Sequence, residues 1–214
     1  MKPFALVLSS PSGGGKTTIA RRLLQGREDL GYSVSATTRP MRPGERDGAD
    51  YHFVAHADFE RGVAAGEFVE WAVYGGERYG TLRSEVDRLF AEGRIAVLDI
   101  DVQGARQVRQ VLPDSVHVFV LPPSAGVLVD RLGRRATEGV AKRRERVALA
   151  AAELAAVSEY DYVVVNDDLV TAVSHVAAII EAESRRVSRQ RRILGAIEQL
   201  QAEVVREAAR ISDG

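Results

Sequence analysis

Residues Ser9-Ser10-Pro11-Ser12-Gly13-Gly14-Gly15-Lys16-Thr17-Thr18 follow directly on an apolar run, Phe4-Ala5-Leu6-Val7-Leu8, and lead into Ile19, Ala20, Leu23 and Leu24 at helical spacing. A buried strand, a glycine turn and a helix in that order predict a phosphate-binding loop. The usual spacing is Gly-x4-Gly-Lys-Ser/Thr. Gly15, Lys16 and Thr17 meet it, and Ser10 stands where the first glycine is usual. Glycine lets the backbone curl round an anion without Cβ clashes, so successive N–H groups from Ser12, Gly13, Gly14 and Gly15 through Lys16, Thr17 and Thr18 can face phosphate oxygens. Lys16 adds a mobile positive charge, Thr17 a hydroxyl suited to Mg2+, and the helix N-terminus a partial positive charge. The ligand this pattern predicts is a nucleoside triphosphate; the reaction it undergoes must be read elsewhere.

Bulk composition narrows the field. The chain has 214 residues, 45% of them apolar, enough for a buried core in one domain with inserts. There is no cysteine, which excludes disulfides, a thiolate nucleophile and cysteine-ligated zinc. Met1-Lys2-Pro3 and the short apolar run after it do not make a signal peptide, and no apolar run of about 18 residues exists to span a bilayer, so a bacterial-type cytoplasmic protein is expected. The formal net charge of -1 offers no global field for nucleic acid. Positive charge is instead local: Arg131, Arg134, Arg135, Lys142, Arg143, Arg144 and Arg146 face only Glu138 and Glu145. The four histidines, His52, His56, His117 and His175, are not at ligand spacing and are assigned no chemistry.

Four apolar segments predict strands of a buried parallel sheet: Phe4 to Leu8, Ile95 to Ile100, Val116 to Leu121 and Tyr162 to Val165. They end in the phosphate loop, in Asp99 and Asp101, in Pro122-Pro123, and in Asn166-Asp167-Asp168. In open α/β sheets ligands sit at the carboxyl ends of strands, so these termini should converge on one crevice. Helical spacing fills the gaps at Phe59 and Val63, at Leu82, Val86, Leu89 and Phe90, at Val127, Leu128 and Leu132, and in a long pattern from about Thr171. Residues 33–91 and 126–152 do not fit the strand-helix alternation and are read as inserts, one for a second substrate and one for a closing lid.

From Ser33 to Tyr51 the chain carries Arg39 and Arg42 in a turn punctuated by proline and glycine; together they can fork onto one phosphate, and Tyr51 can donate a further hydrogen bond. That suits a monophosphate. Phe68-Val69-Glu70-Trp71 sets a carboxylate in an apolar run, where it needs partners, and Trp71 is expected in the core; Tyr79-Gly80-Thr81 follows a glycine turn at Gly75-Gly76.

The order of these residues resembles the guanylate kinases. The matching segments are Ser10 to Thr18, Ser33 to Tyr51, Glu70-Trp71, Tyr79-Gly80-Thr81, Asp99-Ile100-Asp101-Val102-Gln103-Gly104, the lid around Arg135 and Arg146, and Asn166-Asp167-Asp168-Leu169. The resemblance implies a P-loop NTPase-type α/β fold: a kinase domain over residues 1–187, with core 1–32, 92–125 and 153–187, a GMP-binding insert 33–91 and a lid 126–152, then a helical extension 188–214. It implies that Ser35, Glu70 and Thr81 read the guanine edge with Asp101 or Asp99 nearby, and that Arg39, Arg42, Tyr51 and Tyr79 hold the phosphate of GMP. The chemistry agrees, since guanine offers an amino donor beside its ring N–H and adenine does not. Such a site rejects a base lacking its donors by about 10⁴.

The implied activity is phosphorylation of GMP, and of dGMP, to the diphosphate with ATP as donor and Mg2+ bound by Thr17 and Asp99, partly through water. Lys16, Arg39, Arg135 and Arg146 are the implied catalytic residues, and Asn166 the implied adenine contact. The lid departs from the common family pattern at Gly139-Val140-Ala141, which leaves open which of Arg143, Arg144 and Arg146 reaches the phosphates. Two other readings keep the same loop: a kinase for another small phosphorylated substrate, and a non-catalytic phosphopeptide-binding module. Neither nucleic acid nor a membrane is an expected partner. In the tail, Ile193, Ile197, Leu200 and Val204 form a short heptad-like stripe that either pairs with a second copy, giving a homodimer, or packs on its own domain or frays in a monomer.

Overall fold

The computed structural model describes residues 1–134 and 140–212. In chain order its elements are β1 (Ala5–Ser9), α1 (Lys16–Gly26), β2 (Leu30–Tyr32), β3 (Ser35–Thr37), β4 (His52–Phe53), α2 (His56–Ala64), β5 (Phe68–Tyr74), β6 (Glu77–Leu82), α3 (Arg83–Ala91), β7 (Ile95–Asp99), α4 (Val102–Val111), β8 (Val116–Leu121), α5 (Ala125–Arg134), α6 (Val140–Ala155), β9 (Tyr162–Val165), α7 (Leu169–Ser184) and α8 (Arg191–Ser212). Short 3-10 turns lie at Ala156–Glu159 and Val187–Arg189.

A five-stranded sheet in the order β2-β7-β1-β8-β9 forms the centre, and every pairing in it is parallel. Side chains alternate across a strand, and both faces of this sheet are covered. Leu6 and Leu8 of β1 pack with Ile19 and Leu23 of α1 and with Val176 and Ile180 of α7. Ala5 and Val7 face the other way, against Val86 and Leu89 of α3 and Ala105 and Val108 of α4. This two-sided burial is why β1 reads as an unbroken apolar run. β2 is three residues long, too short to show a period, and no sequence signal announced it.

Residues 33–91 build a second sheet, ordered β4-β3-β6-β5, in which β6 runs antiparallel to both β3 and β5. Val69 on β5 joins the core cluster of α3 and α4, so this sheet is docked onto the central one. A side-chain amide reinforces the joint: Gln107 Nε2 donates to the Trp71 carbonyl at 2.8 Å and Gln107 Oε1 accepts from the Trp71 N–H at 3.1 Å. Trp71 itself lies 37% exposed, contrary to the expectation of a core residue, because β5 turns it away from the side that buries Val69 and Glu70.

The helical pattern read from Thr171 onward is two helices, divided by the 3-10 turn at Val187–Arg189. Every described side chain of α8 is exposed, so its apolar stripe does not pack on its own domain. No helix among the described residues is long and apolar enough to cross a membrane.

Candidate active site

The loop between β1 and α1 has the shape its glycines require. Gly15 is the N-cap of α1 in the left-handed conformation, φ 98°, and a Cβ there would lie 2.2 Å from Asn166 Nδ2. Both conditions select glycine. The Gly14 N–H closes a turn on the Pro11 carbonyl at 2.8 Å, leaving α1 to begin with the N–H groups of its first turn directed at the loop. Asn166, at the end of β9, donates to the Gly14 carbonyl at 2.9 Å and is buried; here the proposed adenine contact braces the phosphate loop. Arg131 Nη1 reaches the same carbonyl at 3.4 Å. Gly13, Gly15, Thr18, Arg131, Asn166, Asp167 and Leu169 line a cavity of about 380 Å³ over the loop. Arg131, which the sequence showed only as one member of a basic run, is thereby placed at this cavity.

Lys16 Nζ lies 3.0 Å from Asp99 Oδ1 at the end of β7. The contact is close enough for charge pairing but lacks hydrogen-bond alignment, so the buried Oδ1 is left with no hydrogen-bond partner. Thr17 follows on the first turn of α1, half-buried. Asp101 caps α4, accepting from the Gly104 N–H at 2.8 Å. Asp99 thus meets the phosphate loop through Lys16, while the charge of Asp101 acts on both Glu70 and Glu153.

Across that sheet, Ser35 on β3 is opposite Thr81 on β6, and Thr81 is opposite Glu70 on β5. The three residues named for base recognition form one row. A bulge between Phe68 and Glu70 makes this possible: Phe68 pairs with Leu82 but Glu70 pairs with Thr81, so an extra residue re-aims the carboxylate. Thr81 Oγ1 donates to Glu70 Oε1 at 2.6 Å. Gly104 of α4 completes the pocket, because a Cβ there would stand 2.5 Å from Glu70 Oε2. Glu70 is 5% exposed, and burial pushes its carboxyl up to about 7; the Thr81 hydroxyl opposes the shift and the charge of Asp101 adds to it.

The cationic side of the second sheet also assembles. Arg39 is held by Glu45 at 2.8 and 3.0 Å and by the Pro40 carbonyl at 2.7 Å, with its guanidinium 5.4 Å from the Tyr51 ring centroid. The Tyr51 and Tyr79 rings meet edge to face at 6.0 Å, and Tyr79 lies close enough to act electrostatically on Arg39. Arg39, Tyr51 and Tyr79 are thus brought together. The Arg42 side chain is exposed, although its backbone N–H donates to Glu45 Oε2 at 2.7 Å. Glu45 thus ties the Arg39 guanidinium to the backbone of Arg42.

Of the lid arginines, Arg135 lies outside the described residues, and Arg146 is half-buried on α6. Sequence reasoning missed Glu153 near the end of α6, whose Oε2 accepts from the Ser12 N–H of the phosphate loop at 2.9 Å. No local pattern pointed to it.

A parallel sheet with a glycine loop and helix at one strand end, facing a second sheet that carries an arginine-tyrosine cluster and a buried carboxylate, defines a P-loop nucleotide-binding protein with a second substrate pocket. The guanylate kinase family profile matches residues 2–183. A protein named guanylate kinase from Symbiobacterium thermophilum is 47% identical over 188 residues, covering 88% of this chain and 89% of that protein. One of the same name from Methylococcus capsulatus is 46% identical over 189 residues, covering 88% of this chain and 93% of that one. The crystal structure of guanylate kinase from Anaplasma phagocytophilum superimposes with a TM-score of 0.70 at 34% identity, covering 87% of this chain and 89% of the other. The chain belongs to the guanylate kinase family.

Proposed function

We propose that this protein transfers the γ-phosphoryl group of ATP to GMP, giving GDP and ADP. The observation that carries the reading is the Glu70 pocket. Glu70 is a buried carboxylate that receives a side-chain hydrogen bond from Thr81 alone among the described residues, so it keeps lone pairs for the two N–H donors on the guanine edge. Ser35 stands two strands away in the same row. Adenine would leave that carboxylate desolvated without donors, which disfavours AMP.

The acceptor oxygen of GMP is already anionic, so the reaction needs no general base. Positioning and charge neutralisation carry the catalysis. Arg39, Tyr51 and Tyr79 hold the acceptor phosphate, with Glu45 yielding the Arg39 fork to it and Arg42 adding charge from the rim. The loop binds the ATP phosphates through the N–H groups of Gly13, Gly15, Lys16 and Thr17, whereas those of Ser12 and Gly14 are taken by Glu153 and by the Pro11 carbonyl. Lys16 exchanges its contact with Asp99 for the transferring group and follows the charge. Arg146, and Arg135 with it, neutralise the equatorial oxygens when the lid closes over the cleft. Arg131 and Asn166 wall the cavity on the ATP side.

The residues present fit Mg2+. The ion takes oxygen ligands and keeps several waters, and the cleft offers the Thr17 hydroxyl and a buried Asp99 oxygen without a hydrogen-bond partner. When bound there it would neutralise charge on the ATP phosphates. A coupled assay of ADP release with GMP, AMP, UMP and CMP in turn tests the reading. GMP should be strongly preferred, and equal rates with AMP would defeat the assignment of Glu70. Lys16→Ala should lose turnover by about 10³. No turnover with any of the four would favour the non-catalytic module.

A further inference from the structure

Glu153, on α6 just past the lid segment, ties that helix to the phosphate loop across 141 residues of sequence, through the 2.9 Å hydrogen bond from the Ser12 N–H. Its surroundings belong to the reaction centre, since its carboxylate is half-buried and feels the charges of both Asp101 and Lys16. Arg146 lies seven residues earlier on the same helix. Seven residues advance about 10 Å along an α-helix and return to within about 20° of the same direction, so the two side chains share one face. That face looks inward: Ala150 between them is buried, and Val147 and Leu154 pack with Leu128 and Leu132 of α5. Apolar packing of this kind allows a helix to slide or roll by small steps, whereas a directed hydrogen bond to a backbone N–H does not.

We infer that Glu153 is a positioning residue for phosphoryl transfer: by pinning α6 to the Ser12 N–H it holds the first turn of the phosphate loop and sets the rotation of α6 that carries Arg146 toward the phosphates. The inference rests on the guanylate kinase reading for its substrates, but the pin itself concerns only the ATP half of the site. What matters is an acceptor of the right length. Glutamine supplies one, aspartate is one methylene short, and alanine has none.

The test compares Glu153→Gln, Glu153→Asp and Glu153→Ala in the full chain, by steady-state kinetics with ATP and GMP varied separately and by calorimetric titration with ATP alone. Loss of a hydrogen bond to a charged group corresponds to roughly tenfold to hundredfold, so Glu153→Ala should lose at least about tenfold in kcat/KM for ATP while KM for GMP stays within about twofold. Glu153→Gln should stay within about threefold of the parent, and Glu153→Asp should fall below Glu153→Gln. In a cycle with Arg146→Ala, the loss on removing Arg146 should be at least about fivefold smaller when Glu153 is already alanine. Independent, multiplicative losses would overturn the coupling. Aspartate equal to or better than glutamine would overturn the pin, because charge and not reach would then matter. That order of Gln over Asp decides the case even if the alanine variant fails to fold. The calorimetric ATP titration needs no GMP, so a parent protein that binds ATP but does not phosphorylate GMP would sink the substrate reading and leave this inference standing on its own data.

Discussion

Glu70→Gln separates stability from function at one buried position. An ordinary glutamate titrates near 4.5; burial raises Glu70 to about 7 in the folded protein. Between those values the native state keeps a proton that the unfolded chain has lost, so raising the pH through this window removes stability, and above about pH 7 the full penalty is present. At 1.36 kcal/mol per pKa unit the shift corresponds to about 3 kcal/mol. Glutamine cannot ionise, and its amide oxygen can still accept from the Thr81 hydroxyl. The variant should therefore match the parent near pH 4.5 and be more stable at pH 8 by up to about 3 kcal/mol, roughly 6–12 °C in Tm for a chain of this size. The same change should damage catalysis. An amide offers guanine one acceptor and one misplaced donor where a carboxylate offers two acceptors, so kcat/KM for GMP should fall by about 10² or more while KM for ATP holds. Thermal melts across pH 4.5–8.5 and ADP-coupled kinetics read both effects. A Tm difference that does not grow with pH would refute the desolvated carboxylate, and undiminished GMP turnover would refute its role in reading the base.

Other perturbations follow from the same geometry. Because guanine donors favour ionised Glu70, GMP binding to the parent near pH 6.5 should release a proton from this residue that Glu70→Gln does not release, measured by titration calorimetry in buffers of different ionisation enthalpy. Gly104→Ala puts a Cβ 2.5 Å from Glu70 Oε2 and must push the carboxylate aside; KM for GMP should rise about tenfold with ATP affinity little changed, and an unaltered KM would show that α4 does not shape the base pocket. Gly15→Ala asks alanine to adopt φ 98° and meets Asn166 Nδ2 at 2.2 Å, so it should cost about 1–3 kcal/mol in a chemical melt and abolish ATP binding. Gln107→Ala removes two hydrogen bonds to the β5 backbone at Trp71, and should lower Tm by about 2–8 °C and raise KM for GMP more than KM for ATP.

By itself the sequence determined what depends on near neighbours in the chain. The phosphate loop was legible because strand, glycine turn, Lys16, Thr17 and helix follow one another within about twenty residues, and four strands of the central sheet were legible because burial on both faces leaves unbroken apolar runs. The resemblance also named Ser35, Glu70 and Thr81 for the base and Arg39, Tyr51 and Tyr79 for the phosphate; the structure sets the first three in one row across the second sheet and clusters the other three. What only the tertiary structure decided depends on groups far apart in sequence. The bulge that aims Glu70, the bare Gly104 backbone that admits its carboxylate, the exposure of Trp71, Asn166 bracing Gly14, and Glu153 on the Ser12 N–H all arise where separate elements meet. Periodicity and turn chemistry report on residues within a few positions of each other, whereas a hydrogen bond across 141 residues exists only after the sheet has set which strand ends share the cleft.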